Sequence, residues 1–280
     1  ARENVRLYHE LGLALSLLRA QKLPVLVLKG AHLGSVVYQN PALRLMNDFD
    51  LLFAQADIPA VAALFAALGY QSDEALLFDR HFATDHHLPR FSKSACAASF
   101  ELHWLITYPD KTYTIALDDL WARAQPITVA GNAVLALCPE DLLLHVCEHA
   151  TYHHLFEQGI RFLCDIDAIV RRYSATLDWA AVQSRAQQWG WRKGVHLALT
   201  LAQRLLDTPI PAAVLSQLAP VGLDAKLTEQ AIHQLFADQS EVETISNAFA
   251  QMWGTTAWQQ KIHLIGKRFF APAYIVQQYP

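Results

Sequence analysis

The sequence predicts an α+β fold, in which a small mixed β-sheet with flanking helices, residues 1–125, is followed by a mainly helical domain, residues 126–280. A short apolar run at residues 24–28 indicates a buried strand, and the alternating segment 48–53 indicates a second strand. From Pro139 onward, apolar residues recur at helical spacing. Hydrophobic residues make up 53% of the chain, and many of them are Ala and Leu, which favour helices.

The strand at residues 48–53 carries two carboxylates. Side chains alternate along a strand, so Asp48 and Asp50 should share one face, and Phe49, Leu51 and Phe53 should share the other. Two neighbouring carboxylates beside a core repel each other. A divalent cation removes this conflict, and oxygen ligands suit Mg²⁺, which proteins usually share with substrate phosphates. The plainer alternative is a pair of exposed surface carboxylates.

The segment before this strand has a recognisable order of elements. An apolar run ends at Lys29-Gly30, and residues 31–38 follow at helical spacing. Asn40-Pro41 is a loop signal. The sequence therefore predicts a strand, a glycine turn, a short helix, a loop and then the strand with the two aspartates.

This order resembles the polymerase-β-like nucleotidyltransferase superfamily. The more specific resemblance is to its bacterial family of uncharacterised nucleotidyltransferases, whose pattern is Leu-Lys-Gly, a later Arg, and Asp-x-Asp-Leu. The matching residues here are Leu28-Lys29-Gly30, Arg44 and Asp48-Phe49-Asp50-Leu51. The superfamily has a third carboxylate on a later strand, and Glu101, within the predicted strand 96–105, is the candidate. The resemblance covers most of the chain.

The resemblance implies a nucleotidyltransferase core and a transferase activity. The enzyme would use Mg²⁺ or Mn²⁺ in a two-metal mechanism to move a nucleoside monophosphate from an NTP, such as ATP, to an acceptor hydroxyl on a small molecule or protein. Asp48, Asp50 and Glu101 would be the catalytic metal ligands. The implied nucleotide-binding residues are Lys29, Gly30, Ala31 and Arg44.

Ala31 departs from the family pattern, because Gly or Ser usually follows the glycine and helps to hold the terminal phosphates. Ala31 offers only its backbone N–H. This departure supports an alternative in which the chain is a non-catalytic nucleotide-binding or partner-binding module on the same fold.

A run of histidines stands out in the helical half: His145, His149, His153 and His154. Residues 145–149 fit the HxxEH pattern of inverted zinc proteases, with Glu148 as the base, so a zinc hydrolase is a further alternative. The favoured interpretation is a substrate groove lined by His103, His145 and His149. Buried core histidines and a polar helix face are the remaining interpretations.

A second Asp-x-Asp motif, Asp165-Ile166-Asp167, lies in a segment with a helical period. Residues two apart on a helix point about 200° apart, so these carboxylates cannot chelate one ion side by side. We expect one of them to be partly buried and tied to an arginine such as Arg161, and the other to be solvated.

The composition argues against some classes of binding partner and indicates a cellular compartment. A formal net charge of −4 argues against a nucleic-acid-binding surface. No run reaches the roughly 18 apolar residues of a membrane span, and no secretory signal opens the chain. The cysteines have no CxxC spacing and indicate buried thiols in a reducing cytoplasm: Cys96, Cys138, Cys147 and Cys164.

The remaining elements follow from periodicity and turn signals. Residues 3–20 are a predicted helix, and residues 79–93 are a predicted hairpin or loop near the edge of the site. A hairpin is predicted over 127–137. Further helices are predicted at 58–68, 118–124, 179–189, 193–206, 211–218, 228–236 and 242–249, before a less regular C-terminal tail.

Overall fold

The structure is a computed structural model, and it describes residues 2–46, 48–94, 96–109, 115–220 and 225–236. The helix predicted at 242–249 and the C-terminal tail lie outside these residues. In the described part of the chain, no helix is both long enough and apolar enough to cross a membrane.

Seven strands of the described residues form one sheet in the order β3-β4-β5-β2-β1-β7-β6. The strands are β1 (Leu26–Val27), β2 (Phe49–Leu52), β3 (Gln71–Ser72), β4 (Phe91–Lys93), β5 (Cys96–His103), β6 (Gln125–Val129) and β7 (Asn132–Ala136). The pairs β2–β5 and β1–β7 are parallel, and the other pairs are antiparallel. The predicted α+β fold with a mixed sheet is confirmed.

Helices account for most of the other described residues. They are α1 (Arg2–Ala20), α2 (Lys29–His32), α3 (Ile58–Ala67), α4 (Phe78–Thr84), α5 (Leu117–Arg123), α6 (Pro139–Glu148), α7 (Arg161–Arg172), α8 (Trp179–Gln188), α9 (Arg192–Leu206), α10 (Ala212–Leu218) and α11 (Ala225–Phe236). Two π-helical segments, Leu33–Val37 and His149–His153, continue α2 and α6.

An aromatic core covers one face of β2 and β5. Phe49 and Phe100 are partners in the parallel register, and their ring centroids lie 5.4 Å apart. Phe65 of α3 packs edge-on against Phe100, with centroids 4.9 Å apart. Leu51 and Leu102 are buried in the same cluster. Because side chains alternate along a strand, this core directs the intervening residues of both strands to the opposite face.

The predicted loop or hairpin at residues 79–93 is partly wrong, because its first turns are the helix α4. Phe78 and Phe82 lie four residues apart on α4, with ring centroids 6.1 Å apart, and both pack against the core. Phe82 also meets Trp104 edge-on at 4.8 Å. This partly buried aromatic face stabilises α4, and the polar residues between the two rings made the helix difficult to predict.

Two compact units divide the chain. The first takes Ala1–Val146 and Asp165–Arg192, and the second takes Cys147–Cys164 and Lys193–Pro280, each as far as the structure describes it. The first unit contains the whole sheet. The division predicted from sequence, at 1–125 and 126–280, stays a prediction.

Candidate active site

The polar face of the two central parallel strands carries a compact group of ionisable side chains. Asp50 of β2 lies directly opposite Glu101 of β5, and His103 follows two residues later on the same face of β5. One ligand atom from each of these three residues can be chosen so that all lie within 4.8 Å of one another. These side chains are therefore close enough to share one metal ion.

Asp50 has cations on two sides. The Nε2 atom of His103 lies 3.2 Å from Asp50 Oδ1, and the Nζ atom of Lys29 lies 3.4 Å from the same oxygen. His103 Nε2 is also 3.6 Å from Glu101 Oε2. The side chains of Asp50 and His103 are only 7% and 1% exposed, so these charges interact with little solvent screening.

These contacts decide the protonation states. Burial alone would raise the pKa of Asp50, but Lys29 and His103 together hold it well below its usual range. Burial would raise the pKa of Glu101, but its interactions with His103 and His87 together outweigh this and lower it. Burial would lower the pKa of His103, but its bonds to the two carboxylates raise it. These interactions therefore favour ionised carboxylates at Asp50 and Glu101 and a protonated imidazolium at His103.

Asp48 lies just before β2 and behaves differently. Burial, followed by repulsion from Asp50 and Glu101, raises its pKa to about 6. Arg90 Nη2 lies 3.6 Å from both Asp48 Oδ2 and Glu101 Oε1, and therefore links the two carboxylates at the open edge of the site. Among the three carboxylates, Asp48 is therefore the one whose negative charge is least well balanced by neighbouring cations.

Arg90 and His87 are functional-site candidates that motif matching did not select. His87 Nε2 lies 3.9 Å from Glu101 Oε2, and His87 forms an isolated β-bridge with His103. Both residues belong to the polar stretch at residues 79–93, which the sequence predicted near the edge of the site. They reach it because β4, which follows them, pairs antiparallel with β5.

The glycine turn predicted at Lys29-Gly30 is the first turn of a helix, because Leu28 is the N-cap of α2 and Lys29 and Gly30 begin it. Gly30 is the position where size matters: a Cβ there would lie 3.0 Å from Met46 Sδ and 3.1 Å from Arg44 Nη1. Glycine therefore lets these two side chains approach the turn. Ala31 is buried, and its carbonyl accepts a hydrogen bond from the Tyr8 hydroxyl.

Arg44 is held by the second Asp-x-Asp motif. Its Nε and Nη2 atoms donate to both carboxylate oxygens of Asp165, at 2.9–3.2 Å, and Tyr38 also donates to Asp165. Asp167 pairs instead with Arg171, four residues away at the surface. The expectation that one aspartate would be buried against an arginine is confirmed, but the arginine is Arg44 and not Arg161.

The structure divides the predicted substrate-groove histidines between the two units. His103 belongs to the carboxylate group. His145 is buried in the same unit, where burial, and then the charge of Lys29, hold its pKa well below its usual range. His149 belongs to the second unit, in a group with Glu148 and His153. Among the described residues, His145 is not a member of that group, and the groove itself stays a prediction.

Acidic side chains from adjacent parallel strands, with Lys29 beside them, agree with the nucleotidyltransferase resemblance of the sequence. The chain belongs to the uncharacterised nucleotidyltransferase family, because the model of that family matches residues 1–207. None of the curated proteins matches the chain.

Some solved structures are also similar to the chain, at 13% identity. The solution structure of the antibiotic-resistance factor ANT(2'')-Ia has 13% identity and a TM-score of 0.45, over 66% of this chain and 95% of that chain. Its crystal structure with adenylyl-2''-tobramycin has 13% identity and a TM-score of 0.44, over 64% and 94%. An antigenic nucleotidyltransferase-like protein from Paracoccidioides brasiliensis has 13% identity and a TM-score of 0.42, over 76% and 93%.

Proposed function

We propose that the chain catalyses divalent-metal-dependent transfer of a nucleoside monophosphate from an NTP to an acceptor hydroxyl on a small molecule or protein. The observation that carries this proposal is the pairing of Asp50 with Glu101 across two parallel strands, with ligand atoms within 4.8 Å of each other and of His103. Carboxylates that converge in this way suit the metal ions of phosphoryl transfer.

The residues present fit such a metal. Burial, together with repulsion from Asp50 and Glu101, raises the pKa of Asp48 to about 6. A divalent cation would relieve this repulsion, with Asp48, Asp50 and Glu101 as its ligands. When bound, Mg²⁺ or Mn²⁺ would neutralise the triphosphate and the leaving pyrophosphate and favour ionisation of the acceptor hydroxyl.

The cations of the site would bind the nucleotide. Lys29 lies 3.4 Å from Asp50 and would reach phosphates bound beside that carboxylate. Asp165 orients Arg44 through Nε and Nη2, and Nη1 lies on the Gly30 side of the guanidinium, next to the turn. Backbone N–H groups at the start of α2, including that of Ala31, would supply the remaining phosphate contacts.

Glu101 would act as the general base that deprotonates the acceptor hydroxyl. The acceptor oxygen forms a bond to the α-phosphorus, the bond to the bridging oxygen breaks, and pyrophosphate leaves with that electron pair. The proton of the acceptor hydroxyl passes to the Glu101 carboxylate, whose lowered pKa keeps it ionised at neutral pH. His103 would position Glu101 through its contact at 3.6 Å.

A non-catalytic nucleotide-binding module is the second candidate, and buried Ala31 favours it because it has no hydroxyl for the terminal phosphates. The test is pyrophosphate release from each of the four NTPs with Mg²⁺ or Mn²⁺, with water and added polyols as acceptors, together with NTP binding by calorimetry. We expect release by the wild type, none by Asp50→Asn, and wild-type release by the control Asp167→Asn. NTP binding without any release would favour the module, and no binding would overturn both.

A further inference from the structure

The second unit contains a separate group of metal-ligating side chains. Ligand atoms of Glu148, His149 and His153 all lie within 4.8 Å of one another. Glu148 is 3% exposed, whereas the two histidines are partly buried. Two imidazoles and one carboxylate form a typical ligand set for a transition-metal ion.

A fourth side chain lies beside this group. His154 Nε2 is 3.0 Å from His149 Nε2, so in the structure one ring N–H donates to the other ring nitrogen. His154 is not a member of the three-residue group, and its contact with His149 holds the ring of that histidine beside the group. The ring of His154 is also stacked on Phe162, with centroids 5.4 Å apart.

The local backbone brings these side chains together. Residues 149–153 form a π-helical segment at the end of α6, and such segments occur frequently at functional sites. Within it, His149 and His153 have ring centroids 4.7 Å apart. A π-helical turn is rare and less stable than an α-helical one, so it requires compensating interactions.

The backbone just after the segment is in an unfavourable conformation. Leu155 and Phe156 have φ values of +46° and +60°, which L residues rarely adopt, and both side chains are buried. Phe156 N–H donates to the Ala150 carbonyl and ties this turn back to the π-helical segment. Such conformations persist only where the surroundings hold them in place. A metal ion held by the neighbouring residues would supply that constraint.

We propose that Glu148, His149 and His153 bind one divalent transition-metal ion of the Zn²⁺ class, with His154 holding the ring of His149. The bound ion balances the buried carboxylate and fixes the π-helical segment and the turn that follows. This site is distinct from the carboxylate group of Asp50 and Glu101, because its ligands are mainly nitrogens and belong to the other unit. The proposal does not depend on nucleotidyl transfer.

The experiment uses full-length, tag-free protein that has been stripped with a chelator and then exposed to Zn²⁺ or Co²⁺. We expect about one equivalent of tightly bound zinc, and a Co²⁺ spectrum with the intense visible bands of a four-coordinate site. His149→Ala and His153→Ala should lose the zinc and the bands. His233→Ala, an exposed histidine elsewhere in the second unit, and Asp50→Asn should retain both.

The wild type alone also tests the proposal, in case a variant fails to fold. Zinc should raise the thermal unfolding midpoint of the stripped protein at equimolar concentration. The absence of tight zinc binding by folded wild-type protein would overturn the proposal. Equal zinc retention by folded His149→Ala and by the wild type would overturn it as well.

Discussion

Arg44 and Asp165, which lie 121 residues apart in the chain, form a buried, two-pronged ion pair. The pair connects the segment that precedes β2 to helix α7. Burial alone would lower the pKa of Arg44, but Asp165 raises it, so the guanidinium stays charged. Because Arg44 Nη1 lies beside Gly30, this ion pair also holds a charged group next to the first turn of α2.

We predict that Asp165→Asn and Asp167→Asn differ sharply in stability, although they are the two carboxylates of one motif. Removing Asp165 leaves a buried arginine without its partner, which costs about 3–5 kcal/mol of the free energy of unfolding. Asp167 pairs with a half-exposed arginine, so its loss should cost no more than about 0.5 kcal/mol. Urea unfolding measures both values, and equal losses would contradict the assigned role of the pair.

His32 gives a second prediction, which concerns pH. It is buried in α2, and burial lowers its pKa to about 4. Between pH 6.5 and pH 4 the unfolded chain binds the proton and the folded protein does not, so acidification favours unfolding. Above pH 6.5, protonation of His32 does not affect the free energy of unfolding. Between pH 6.5 and pH 4, it lowers the free energy of unfolding by about 1.4 kcal/mol for each pH unit.

The variant His32→Leu removes this dependence. When the pH is lowered from 8 to 5, we expect the free energy of unfolding of the wild type to fall by about 2 kcal/mol relative to that of the variant, as measured by urea unfolding. A stability difference that stays constant across this range would show that His32 is not held neutral by burial.

The third prediction concerns metal activation. His103 contacts both of the proposed ligands Asp50 and Glu101, and residues that contact metal ligands orient them. We expect His103→Asn to weaken the activation of pyrophosphate release by Mn²⁺ roughly tenfold, the scale of disturbing a metal's surroundings. His87→Asn is the comparison variant, because His87 lies farther from Glu101, at 3.9 Å, and should have a smaller effect. Unchanged Mn²⁺ activation in His103→Asn would refute the positioning role of His103.

The two faces of β2 could be predicted from sequence, because the alternation of side chains along a strand is a local property. Phe49, Leu51 and Phe53 lie in the aromatic core as expected, and Asp50 lies on the other face. The parallel register that sets Asp50 opposite Glu101 is not local. The resemblance indicated that a third carboxylate was needed, and the structure shows that Glu101 lies opposite Asp50.

Other features depended on contacts that no local pattern contains. Spacing on a helix correctly separated Asp165 from Asp167, but it could not indicate that Arg44 is the partner of Asp165. The π-helical segments are also invisible to a search for helical periodicity, because they change the period within a helix. Arg90 was recognised only as part of a polar stretch, since its role depends on the pairing of β4 with β5.

The most direct test of the central claim is Glu101→Gln, assayed for both NTP binding and pyrophosphate release. Asp48 and Asp50 remain, so NTP·Mg²⁺ affinity should stay within a few-fold of the wild-type value. Transfer should fall by roughly 10²-fold or more, the scale of losing a general base. Glu229→Gln, which removes an exposed carboxylate elsewhere, should leave both quantities unchanged. Wild-type turnover by Glu101→Gln would contradict the account.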